Sequence, residues 1–94
     1  MPDLVIAFSD VDPFVRAWAA QAVGYIGPRA AGAVPALIEL LNGDAASRGS
    51  ACMALGEIGA AAESALPALR AALTDPDESV RRFAVEAIQR IQQK

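Results

Sequence analysis

The chain has 94 residues, 54% of them hydrophobic but only 5% aromatic, with a formal charge of −3 and no histidine. No basic stripe of the kind a phosphate-binding scaffold needs is present, and no apolar run approaches the roughly 20 residues of a membrane span. One cysteine excludes an internal disulfide, and 22 alanines favour closely packed helices.

The first predicted element, residues 2–8, carries Pro2-Asp3-Leu4 and reads as a short helix standing alone as a half unit. This opening stretch has an acid and no basic residue, so it is a poor signal peptide, and a soluble cytoplasmic chain is expected. A longer helix over 12–26 follows, announced by Asp12-Pro13, a capping acid with proline at the first helical position. Val15, Ala19, Ala22, Val23 and Ile26 mark one face of it. Gly27 sits where a left-handed residue would end it. The third element, 33–41, is shorter, with Val34, Leu37, Ile38 and Leu41 as its apolar face and Pro35 in its first turn. Asp44 opens the fourth, 44–58, and Gly59 closes it. Pro67 does for the fifth, 65–73, what Pro35 does for the third. Asp75-Pro76 offers a start signal for the sixth, 77–92. In that last helix Gln89 and Gln92 replace the earlier glycines, and Arg82, Glu86, Arg90, Gln93 and Lys94 give the polar outer side of a terminal cap.

Two blocks of this series repeat with one period. Val15-Arg16 through Gly27 aligns with Ser47-Arg48 through Gly59 and with Val80-Arg81 through Gln92, at offsets of 32 and 33 residues. Pro2-Asp3-Leu4, Pro35-Ala36-Leu37 and Pro67-Ala68-Leu69 recur at 33 and 32. A shared period in independent blocks is the mark of stacked helical units. The expected organisation is a single domain, 1–94, with a half unit at 1–9, units at 10–41 and 42–73, and a terminal half unit at 74–94. With the long helices termed A and the short ones B, the order is B-A-B-A-B-A.

Asp12-Pro13-Phe14-Val15-Arg16, then Ala19-Ala20-Gln21-Ala22-Val23-Gly24-Tyr25-Ile26-Gly27, then Ala33-Val34-Pro35-Ala36-Leu37-Ile38-Glu39-Leu40-Leu41, resemble the HEAT-like repeat of the phycobilisome-lyase type. Asp44 to Leu73 resembles it again, and Asp75 to Ile91 resembles its first half. Ser47, where the pattern has valine, and Gly49-Ser50 inside a helix depart from it. The resemblance implies an all-α fold, a short right-handed α-α superhelix with A helices outside and B helices lining a concave groove. It also implies a scaffold that grips other proteins, or a subunit of a bilin lyase.

Asp12/Arg16, Asp44/Arg48 and Asp77/Arg81 are each four residues apart, the spacing at which helical side chains meet. Because every arginine brings its own acid, a structural ladder tying unit to unit is expected over an anion-binding row. Cys52 aligns with Ala20 and Val85 and lacks a neighbouring base, so it reads as core rather than as a nucleophile or bilin attachment point. The carboxylates are dispersed or in cap positions, which leaves no metal site, cofactor cradle or catalytic set, and no enzyme is expected. Phe14, Trp18 and Tyr25 lie near one line along the first A helix. Packing onto the next unit, where Gly49 and Ser50 leave room, is expected for them; the alternative is an exposed aromatic patch for a partner. On the resemblance, Asp3, Ile6, Ala36, Glu39, Ala68 and Ala71 would face the groove. Its sparse charge suits an apolar helix or peptide, not nucleic acid or membrane. The expected partner is a protein or peptide, with the chain a monomer or weak homo-oligomer. Head-to-tail self-association through the unpaired end helices and an accessory role in a bilin-lyase-like complex are the rival readings.

Overall fold

The computed structural model describes residues 7, 8 and 11–93, and among these it contains five α-helices, with 3₁₀ turns after the first, third and fourth, and no strand. They are α1 (Pro13–Ile26), α2 (Val34–Leu40), α3 (Ala45–Ile58), α4 (Leu66–Ala71) and α5 (Glu78–Gln92). The predicted helix at 2–8 lies almost wholly outside the described residues; of it, Phe8 is buried in the core.

Each long helix starts at an aspartate in extended backbone whose carboxylate accepts from first-turn amides. Asp12 takes the Phe14 N–H at 2.9 Å and Asp44 the Ser47 N–H at 3.2 Å. Asp77 takes those of Ser79 and Val80 at 2.8 and 3.2 Å. Such a cap satisfies donors that the helix itself leaves unpaired. The cap of α5 is therefore Asp77 and not Asp75, despite the proline that follows Asp75. The Asp75 carboxylate is drawn elsewhere: it accepts the Asp77 N–H at 2.9 Å and the Arg48 guanidinium.

α1 and α3 end at Gly27 and Gly59, with φ of 73° and 77°. Their ψ of −142° lies outside the left-handed helical well, in a region that only glycine enters without strain. The chain then turns through Gly27–Ala33 and Gly59–Ala65 with the same kink in each, at Ala30 and Ala62. Pro35 and Pro67 fall in the first turn of α2 and α4, where the missing N–H costs little. α4 is shorter than the predicted 65–73 because its last turn tightens into a 3₁₀ turn, Ala72–Thr74.

The five helices form two rows. α1, α3 and α5 lie side by side in one, termed the A row; α2 and α4 belong to the other, the B row. The A row is closed by small residues. A Cβ on Gly24 would stand 3.2 Å from the Ala54 Cα, and one on Gly56 would stand 3.0 Å from the Ala87 Cα. Between the rows lies the core, in which Val23, Leu37, Leu55, Ile58, Leu69 and Val80 are fully buried. This is an all-α HEAT-like solenoid, each unit burying its apolar face against its neighbours.

Candidate functional site

Two ion pairs join an arginine to an acid of the next unit. Arg16 reaches forward to Asp44, Nη2 to Oδ1 at 2.9 Å. Arg48 also reaches forward, but to Asp75, gripping it through Nε at 2.8 Å and Nη2 at 3.0 Å while Nη1 donates to the Gly43 carbonyl. Arg81 donates to the Asp75 and Pro76 carbonyls. The Asp75 loop is thus clasped from two helices. Asp44 receives the Ser47 hydroxyl at 2.6 Å, which with Arg16 holds its carboxyl far below the usual carboxylate range. The Arg48 bridge likewise lowers Asp75. Ser47, fully buried where the repeat pattern has valine, is accounted for by that hydroxyl contact. Each of these arginines holds a protein group.

Cys52 is fully buried in α3, and burial pushes its thiol up to about 12. A thiol in that state is neutral at ordinary pH and inert as a nucleophile. Among the described residues no three His, Cys, Asp or Glu side chains converge as metal ligands, and no helix is long and apolar enough to cross a membrane. Nor is any buried side-chain nitrogen or oxygen among them left without a partner. Two surfaces of the described structure carry concave space.

The first runs along the B row. Ala36 is half-buried and Glu39 exposed, and both line a cleft of about 330 Å³ that is floored by Phe8 and Leu40 and edged by Arg16. On the other side of α2, between α2 and α4, lies a second cleft of about 290 Å³. Ile38, Leu41, Ala68 and Ala71 line it. Asn42 borders both clefts. Asp3 and Ile6 lie outside the described residues.

The second surface is on the A row. Phe14, Trp18 and Tyr25 are 81%, 61% and 87% exposed, so the expected packing onto the next unit does not occur. The space above Gly49 is taken from the other side: a Cβ there would meet the Phe83 ring of α5 at 3.5 Å. Ser50 accepts from the Gln21 amide at 3.4 Å. Ser50 and Phe83 are the repeat counterparts of Trp18, and each points back towards the preceding helix. Trp18, at the same repeat position on α1, stays largely exposed. Phe14 overhangs a groove of about 480 Å³ whose far wall is Phe83 and whose floor includes Gly49 and Ser50.

Sequence reasoning missed this groove and the ion pair between Glu57 and Arg90. That pair was visible in principle, because the two residues occupy one repeat position 33 apart with opposite charge. In comparisons with known proteins, the family model for HEAT repeats matches residues 1–89. No curated protein matches the chain.

Proposed function

The chain belongs to the HEAT-repeat family, and from that premise we propose that it is a non-enzymatic scaffold that holds a partner protein or peptide along its B row. HEAT repeats are generally protein-interaction scaffolds. The observation that carries the surface is the pair of clefts flanking α2, one repeat step apart, which take in Ala36, Glu39, Ala68 and Ala71. Small residues on the walls leave room for side chains of the partner, and the apolar floor rewards their burial. Arg16 and Asp75 at the edges are already bridged to Asp44 and Arg48, so they bring little free charge to the surface. The Asn42 amide between the clefts can orient a backbone group. An apolar helix or extended segment bearing two anchors fits this arrangement better than a polyanion. Within the family, the Asp-Pro-Phe-Val-Arg and Ala-Val-Gly-Tyr-Ile-Gly blocks support the phycobilisome-lyase type of repeat.

A photo-crosslinking residue at Ala36, and separately at Ala68, tests the surface. Both positions should capture the same polypeptide, and Ala71→Glu should abolish capture. Partner binding that survives charge insertion at both Ala36 and Ala68 would remove the B row from consideration.

A further inference from the structure

A different face, the outer side of α1, carries its own message. Val15, Trp18, Ala22 and Tyr25 follow one another at spacings of three, four and three, the seam pattern by which two helices interlock. Phe14 and Ile26 flank the seam. The corresponding positions elsewhere in the chain are helix-packing positions. In α3, Ser50 meets Gln21 and Ala54 meets Gly24 of α1. In α5, Phe83 meets Gly49, Ala87 meets Gly56 and Arg90 meets Glu57 of α3. α1 therefore presents outward the face that its sister helices use to bind a helix, in a more apolar version. Exposed tryptophan and tyrosine in such a row are typical anchors of a protein contact.

We propose that this row is the interface of a weak, two-fold symmetric homodimer in which α1 packs antiparallel on α1 of a second copy. Charge is the first argument. The seam carries no ionisable group besides the tyrosine hydroxyl, so two chains of net charge −3 can meet there without opposed charges. Shape is the second. Ala22 lies between the two large rings, so an antiparallel pair crossing at Ala22 sets Trp18 of one copy beside the partner's Tyr25 and Ile26, and the reverse contact follows from the symmetry. The face of α5 turned away from α3 offers no match: its residues include Arg82, Glu86 and Gln89, all exposed and polar, so head-to-tail stacking would set charge against aromatic rings. Area is the third argument. An aromatic side chain buries roughly 150–250 Å², so the exposed parts of Phe14, Trp18 and Tyr25 offer roughly 450 Å² per copy. The total of roughly 900 Å² falls short of a permanent interface and matches a reversible one.

Trp18 is the only tryptophan, so its emission reports directly on this face. Sedimentation of the 94-residue chain from about 10 μM to about 1 mM, the range of weak association, should show the mass rising from 9.7 kDa towards twice that value. The emission should shift to the blue in step. Trp18→Glu and Tyr25→Arg should each hold the chain at the monomer mass with an unchanged helical circular dichroism spectrum. Tyr25, the more exposed of the two, keeps the test decisive if Trp18→Glu fails to fold. Val85→Glu on α5 should leave dimerisation intact. A wild-type monomer at 1 mM, growth beyond the dimer, a dimer surviving in Tyr25→Arg, or loss of the dimer in Val85→Glu would each overturn the proposal. None of these outcomes bears on crosslinking at the B row.

Discussion

The two rows of the solenoid are built to opposite rules. In the A row the helices touch at backbone distance, because Gly24 and Gly56 remove the side chains that would part them from Ala54 and Ala87. In the B row α2 and α4 stand apart, and the gap between them is a cleft. Close packing gains dispersion contacts and rigidity in one row; the other keeps concave space that a partner can fill. The repeat thus sets close packing in one row against open concave space in the other by where it places glycine and where it places alanine.

Substitutions can break or sharpen this contrast. The largest effect is expected where the rows share their core: Leu37→Ala, at a fully buried side chain, should lower the unfolding free energy in urea by about 3 kcal/mol. Gly56→Val tests the A row alone. Its Cβ would fall 3.0 Å from the Ala87 backbone, so α3 and α5 must separate, at a cost of about 2–3 kcal/mol. Asp75→Ala comes next, since it frees the Arg48 guanidinium and the Asp77 amide together. Breaking this partly buried bridge should cost about 2 kcal/mol in the same assay. Acid should act in the same direction and more gently. Asp44 and Asp75 both titrate below the ordinary 3.8 when folded and return to it on unfolding. Their contribution is therefore complete above that pH and is lost as pH falls through the lower folded values. Melting temperature should be level from about pH 7 to pH 5 and fall below about pH 4, with a shallower fall in Asp75→Asn. The smallest effect belongs to the B-row surface: Ala71→Glu, at an exposed position, should change stability by about 0.5 kcal/mol or less while abolishing partner capture. If it destabilises as much as Gly56→Val, the two rows do not differ in the way described.

Helix starts, helix ends and the 32–33-residue period were legible in the sequence because each depends on neighbours in the chain. An aspartate caps the amides two or three residues on, a glycine ends the helix it follows, and a repeated pattern repeats the same turn. The four B-row positions at Ala36, Glu39, Ala68 and Ala71 came from the family resemblance; their clefts, which depend on how far α2 and α4 stand apart, did not. Asp75 misled the reading of the α5 cap because a carboxylate beside proline looks locally like a cap, whereas an arginine 27 residues away claims it.

The amino-acid order by itself determined that this chain folds as stacked helix pairs, and where nearly every described helix begins and ends. Only the tertiary structure decided which acid each arginine holds and which way the aromatic row of α1 looks. A helical pattern states that Phe14, Trp18 and Tyr25 share a face, but their burial depends on whether another helix lies on that side. Arginine has enough reach to pass over the acid one turn away and take one in the next unit, and the choice is made by the loops that bring those units together.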